Sequence, residues 1–288
     1  MKVVIKTDAL LSNIQKASML SNKPISLMFK DFYEDVYPGI KDKIDNKIFS
    51  LNIEGSVCYS LGKAQTVHSG AIVTSVADAW RYSRECGINE FYIPIDAYDE
   101  REGLCVYDAS CLAQDIKSLF DAKLYGMITC GCMNERHPYT DNLAAIWEAL
   151  KDDVLSISLG GSFWLGKDMK LPDFISDLRI GEYFLFGTIP FHRDNYKQGD
   201  NGIEIHSKVV AVYPERNKLL IDCGYAMADI DKSVITGGHN ELQYVDSSSE
   251  YSIFYTQKAS SYKKGDIVKF VPNYKSLVKL RYADKEFR

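Results

Sequence analysis

No stretch of this sequence approaches the roughly 18 consecutive apolar residues of a membrane-spanning helix, and no transmembrane segment is expected. Dense clusters of lysine or arginine are also missing. With 34 basic against 39 acidic residues the formal net charge is −5, which argues against a nucleic-acid surface. The amino terminus lacks the apolar core of a secretory signal, because Lys2 and Lys6 flank only Val3, Val4 and Ile5. Cysteine is present but unpatterned. Seven cysteines without regular spacing, in a chain too large to need disulfide staples, predict free thiols in a reducing cytoplasm. Cys130-Gly131-Cys132 with His137 comes nearest to a metal pattern, but no second ligand pair at zinc-finger spacing follows, and no metal is expected. Internal repeats and low-complexity segments are lacking as well.

What the chain does have is rhythm. Its 288 residues, 46% hydrophobic, suit one large domain or a barrel with a smaller companion. Up to about residue 190, apolar strand-like runs alternate with helical segments. A strand at 71–74 leads into a helix over 76–85 that stops at Gly87; strands follow at 90–95 and 104–107, then a helix over 109–120. A strand at 125–129, a helix over 142–150 and a strand at 154–158 continue the series. Repeated strand–helix units predict a parallel α/β domain, but do not separate a (β/α)8-type barrel from a doubly wound sheet. Residues 41–68 break the rhythm, since Ile48 to Leu51 and Ser56 to Tyr59 read as two short strands where a helix would be due. The region is also shorter than the roughly 250 residues usual for such a barrel, so a shortened barrel with an element missing or replaced is expected. Beyond 190 the runs at 203–212, 218–223, 252–255 and 267–271 have little helix between them, with turn signals at Gly237-Gly238 and Lys264-Gly265. This predicts a barrel domain over 6–190 and an all-β domain over 191–288.

One lysine is conspicuously placed. Lys30 ends the apolar run Ile25-Ser26-Leu27-Met28-Phe29 behind Pro24, which reads as the first buried strand of a parallel sheet. A lysine at the carboxyl end of such a strand points into the mouth of a barrel, where it can lose solvation and act as an amine nucleophile. The competing reading is a strand-end lysine in water.

Three further stretches resemble alanine racemase-like enzymes of the pyridoxal phosphate (PLP) fold type III. Asp8-Ala9-Leu10 with Asn13-Ile14 resembles the opening helix motif of that family. Ser158-Leu159-Gly160-Gly161-Ser162 and Leu178-Arg179-Ile180-Gly181-Glu182 arrive in the order of its last two barrel strands. The pattern from Arg179 through Gly187, and the tail from Gly265 to Leu277, are most similar to the ornithine racemase branch. The likeness is collinear over most of the chain.

The resemblance implies a barrel followed by a β domain that the strand at 2–5 joins, PLP as cofactor, an amino acid as substrate, and a homodimer with a shared active site. It assigns Lys30 as the lysine that carries PLP, with Tyr33 near the motif's aromatic position. Gly160, Gly161 and Ser162 would hold the phosphate, together with Ile180 and Gly181, since small residues let backbone N–H groups and hydroxyls approach a dianion. Taken alone, Gly-Gly-Ser is an ordinary surface turn. Arg179 would face the pyridine nitrogen; otherwise it would form an ion pair with Asp177 or Glu182. Gly224-Tyr225-Ala226 resembles the turn whose tyrosine is the second acid/base, although Met227 stands where the family has aspartate, and Tyr225 reads equally as a core residue. Ser247 to Tyr251 stands where the ornithine racemase branch carries an aspartate–histidine pair that is lacking here. Metal-dependent relatives place a histidine and a cysteine where this chain has Tyr274 and Ser276. The expected function is a PLP-dependent racemase, against a PLP-binding regulatory or carrier protein of the same fold.

Overall fold

Neighbouring parallel strands need a crossover of a dozen residues or more, usually a helix, and most of this chain supplies one. In the computed structural model, which describes all residues except 30–31, 52–56, 62–69, 98–102, 129–139, 166–169, 190–199, 232–234 and 237–240, β1 (Lys2–Ile5) and α1 (Thr7–Leu20) come first. Eight strands follow: β2 (Ile25–Met28), β3 (Lys47–Leu51), β4 (Val57–Leu61), β5 (Gly70–Ile72), β6 (Glu90–Ile95), β7 (Lys123–Ile128), β8 (Ile157–Gly160) and β9 (Ile175–Ile180). Hydrogen bonding runs in chain order from β2 to β9 and back to β2, where Ser26 pairs with Arg179. Helices α2 (Tyr33–Ile40), α3 (Val76–Cys86), α4 (Val106–Leu119) and α5 (Thr140–Leu150) lie between strands, and α6 (Glu182–Phe186) follows β9.

The irregularity expected over 41–68 lies in direction rather than in a lost strand. β4 runs antiparallel to both β3 and β5, so this side of the ring is a meander and the βα repeat is broken there. Local chemistry sets the helix ends. The Ser75 hydroxyl accepts the Asp78 amide at 3.1 Å to start α3, and Gly87 ends it in the left-handed region at φ 67°. The strand expected at 104–107 is a correction. Leu104 makes only a single bridge to Ile95, and the Cys105 thiol caps the Asp108 amide so that Val106 and Tyr107 already belong to α4. The cap outweighs the strand preference of two β-type residues.

Strand alternation divides the barrel's side chains. Phe91, Ile93 and Ile95 on β6 join the large core beneath the helices, whereas Tyr92 faces the lumen with Tyr125, Met127, Met28 and Ile72.

The C-terminal sheet comprises β10 (Ile203–Tyr213), β11 (Lys218–Ile221), β12 (Ile235–Thr236), β13 (Gln243–Ser247), β14 (Ser252–Tyr255), β15 (Ile267–Val271) and β16 (Lys285–Phe287). Their order is β12-β15-β10-β11-β14-β13, and β1 joins this sheet, antiparallel to β10 and parallel to β16. Strand β13 gave little sequence signal because it is largely polar and exposed at the sheet edge. Among the described residues, no helix is long and apolar enough to cross a membrane.

Candidate active site

The carboxyl ends of β2, β8 and β9 meet on one side of the ring. Lys30 and Asp31 lie outside the described residues, but the residue before them is well anchored. Phe29 is fully buried and meets the Phe184 ring edge-on at 5.0 Å between centroids. Phe184 belongs to α6, whose N-cap is Gly181. The end of the lysine strand is thus packed on the helix that follows the glycine turn. Asn13, from the opening motif, braces the same helix from below: buried, it donates to Phe184 O at 3.1 Å and to Asp200 O at 2.6 Å. Tyr33 is the first residue of α2, and its side chain is outside the described set.

Arg179 is only 1% exposed and lies on the lumen side of β9, paired with Gly160 on β8. Its Nη2 reaches beyond β8 and donates to Ile128 O at the end of β7, at 2.5 Å. Of the acids weighed as its ion-pair partners, Asp177 accepts from Ser158 and Ser176, and Glu182 accepts from Thr188.

Gly161 stands at φ 123°, a conformation that a residue with a Cβ rarely adopts. Its amide donates to Arg179 O at 2.8 Å, which binds the glycine turn to β9. Ser162 is buried, and its hydroxyl accepts the Tyr183 amide at 3.0 Å. That bond joins the turn after β8 to the turn after β9 and leaves the hydroxyl proton for another acceptor. A surface-turn reading of Gly160 to Ser162 is therefore incorrect. Ile180 turns its side chain into the apolar core, so only its backbone can face a ligand.

Tyr274 escaped the sequence reading as a site residue. It follows β15, and its hydroxyl covers Gly181 so closely that a Cβ there would collide with it. Burial, then the nearby Glu182 carboxylate, push its phenol well above the ordinary value of 10.0, so it remains a donor. Its ring meets Phe186 edge-on at 6.3 Å. Ser276 donates its amide and its hydroxyl to Asn273 Oδ1, each at 3.1 Å, closing the turn that holds Tyr274 in place. Tyr274 and Ser276 thus shape this turn.

Tyr225 is not a core residue. It is 53% exposed in a tight turn of the C-terminal domain, where its amide donates to Ser248 O at 2.9 Å and its carbonyl accepts from Lys279 at 2.5 Å. Ala226 N donates to Ser249 O, so Gly224 to Ala226 and Ser248 to Tyr251, read separately in the sequence, form one structural unit. Among the described residues, no hydrogen bond joins Tyr225 to Arg179, Ser162 or Gly181. Cys130, Cys132 and His137 lie outside the described residues.

No family model matches the chain. The D-serine dehydratase of Dictyostelium discoideum is 24% identical over 128 residues, covering 38% of this chain, and the match spans about a third (32%) of that protein's length. A solved D-threo-3-hydroxyaspartate dehydratase, a cysteine-to-alanine variant in its metal-free form, superposes with a TM-score of 0.72 at 15% identity, over 99% of this chain and 93% of the other. The biosynthetic alanine racemase of Pseudomonas aeruginosa gives a TM-score of 0.69 at 12% identity, over 99% and 98%. The chain therefore has the alanine racemase-like fold, a barrel-type α/β sheet with a separate β domain. The solved racemase and the solved dehydratase share that fold, so the likeness does not single out the ornithine racemase branch.

Proposed function

We propose that this chain binds PLP at the mouth of its barrel and is an amino-acid racemase, interconverting L- and D-amino acids by two-base proton transfer at Cα. The observation that carries the reading is the buried guanidinium of Arg179 beside the two glycine turns. Barrels of this kind usually fill such positions with branched apolar side chains, and burying a permanent cation is costly unless acceptors meet it. The residues fit the cofactor: a buried arginine, a buried serine with a hydroxyl proton to give, and a glycine at 181 held under a protonated tyrosine.

When bound, PLP supplies an electron sink that acidifies the Cα proton of the amino acid. Lys30 would hold the cofactor, and its amine would take or return the Cα proton on one face. Gly160, Gly161 and Ser162, with the backbone of Ile180 and Gly181, would hold the phosphate; Tyr274 would add a donor there, and Tyr33 follows the lysine by three residues in sequence. Arg179 would face the ring nitrogen and, since arginine keeps its own proton, would leave it unprotonated; a weaker sink suits racemisation better than transamination. Tyr225 is the acid/base for the opposite face. Its exposure on the C-terminal domain supports delivery to the site of a second subunit in a homodimer.

A second reading, elimination of water from a hydroxy amino acid, is favoured by the two dehydratases among the similar proteins. Against it stand Tyr274 and Ser276 at the positions of the metal ligands. Incubation with PLP and a panel of L-amino acids together with D-hydroxy amino acids, read by chiral chromatography and by an assay for 2-oxo acids, separates the readings. D-enantiomer supports the racemase and 2-oxo acid the dehydratase. A yellow protein yielding neither product would be a carrier or regulator, and a protein that never takes up PLP overturns the whole proposal.

A further inference from the structure

The end of the barrel opposite Gly181 is not packed as such barrels usually are. Layers of branched apolar side chains normally fill the lumen; here Ile72 and the unbranched Met28 and Met127 pack beside Tyr92 and Tyr125. Toward the amino-terminal ends of the strands the lumen turns polar. A cavity of about 540 Å³ opens there, lined by Ser26, Asp45, Asn46, Tyr92, Tyr125 and Asp177, with two carboxylates and no basic side chain among the described residues.

Three features of this wall point to a ligand. Ser26 faces the lumen, because Met28 two residues along the strand packs with the lumen tyrosines. It is 1% exposed, and its hydroxyl has no hydrogen-bond partner among the described residues; a buried hydroxyl is rarely left so. Asp177, 6% exposed, accepts Ser158 on one oxygen at 2.9 Å and Ser176 on the other at 2.8 Å. Those bonds fix the plane of the carboxylate and leave each oxygen a second lone pair. Tyr92 and Tyr125 stack at 4.9 Å with 17° between their planes, and the Tyr92 hydroxyl donates to Glu90 at 3.2 Å. Burial, then Glu90 and Asp177, raise the Tyr125 phenol above its ordinary value, as expected in a field of negative sign.

We propose that this cavity is a binding site for a small guanidinium compound, held by the Asp177 carboxylate, the Ser26 hydroxyl and the Tyr92–Tyr125 pair. A guanidinium is planar and weakly hydrated, pairs with a carboxylate through two parallel N–H bonds and stacks on aromatic faces. Its remaining N–H groups supply the donor that Ser26 lacks. A compact ammonium ion offers neither the fork nor the plane. The site adjoins the Arg179 level of the lumen, since Ser26 pairs with Arg179, but it opens toward the amino-terminal ends of the strands and does not depend on the PLP reading.

The test is calorimetric titration of the full chain, as purified with any cofactor it retains, with methylguanidinium chloride. This probe, unlike a primary amine, does not condense with a cofactor aldehyde. Saturable one-to-one binding at about 1 mM or tighter is expected, weakened about tenfold or more by Asp177→Asn through loss of the charge-assisted pair. No saturable heat up to about 10 mM, or equal affinity in a folded Asp177→Asn protein, overturns the proposal. Should Asp177→Asn fail to fold, because Ser158 and Ser176 lose their acceptor, Asp45→Asn and Tyr125→Leu take its place; unchanged affinity in both overturns it. Tetramethylammonium binding as tightly as methylguanidinium would overturn the guanidinium assignment.

Discussion

The hydroxyl of Tyr274 covers Gly181, and a methyl group placed at 181 would stand 2.8 Å from the ring carbon Cζ as well as colliding with the oxygen. The turn after β9 and the turn after β15 therefore have room for one side chain between them. Gly181→Ala should cost about 1–3 kcal/mol, as overpacking does, and loosen PLP. Tyr274→Ala should cost stability alone yet recover part of that loss in the double variant, a non-additivity read from urea denaturation. Strictly additive costs would show that the two residues do not share this space.

Lys30→Ala should yield a colourless protein. The wild type incubated with PLP should keep absorbance at about 420 nm through dialysis, the signature of a lysine-bound cofactor, and the variant should lose it. Retention of the band by the variant would place the cofactor on another lysine.

Ser162→Ala removes the acceptor of the Tyr183 amide and, on the proposed function, a donor to the phosphate. A charge-assisted hydrogen bond is worth about 1.5–3 kcal/mol, so PLP affinity should fall on the order of tenfold to a hundredfold. Equilibrium dialysis decides it. A loss of thermal stability with PLP affinity intact would leave Ser162 as the tie between the two turns only.

Tyr225→Phe keeps the ring and removes the proton. Racemisation should drop by roughly a hundredfold or more, while the absorbance band and the fold persist. Cα hydrogen exchange in deuterated water should suffer more from one enantiomer than from the other. Mixing Lys30→Ala with Tyr225→Phe chains should restore activity, because one site of a mixed dimer would hold both groups. Wild-type rates in Tyr225→Phe would shift attention to the adjoining Ser249 to Tyr251.

Glu204 makes a pH prediction at the junction of the two domains. It is 4% exposed on β10, pairs with Lys6 at 2.6 Å and lies 3.1 Å from His206. Burial alone would raise its pKa, but hydrogen bonds from Lys6, Asn201 and His206 outweigh that and hold it below its ordinary 4.5. A depressed folded pKa contributes stability that is present above the unfolded value and lost as pH falls through the folded one. Glu204→Gln should thus be less stable than wild type at neutral pH, by about 1.5–3 kcal/mol. The gap in urea midpoint should close as pH drops below 4.5. A gap independent of pH would assign the loss to packing.

Local signals in the chain settled what depends on a few consecutive residues. Pro24 and the apolar run behind it define β2, Ser75 and Gly87 bound α3, and the order of Gly160 to Ser162 and Arg179 to Gly181 places both turns at strand ends, which a parallel ring brings together. Period and turn chemistry act over a turn or a pleat, so these features were legible. The direction of β4, the helical start at Val106, the exposure of Tyr225 and the position of Tyr274 were not, because each depends on a partner distant in sequence. Tyr225 is exposed because its turn is pinned by Ser248 and Lys279; Tyr274 becomes a site residue only because Gly181 has no side chain beneath it. The far cavity likewise draws its wall from β2, β6, β7 and β9 at once. Strand register and packing decide which side chains meet, and neither is written in any single segment.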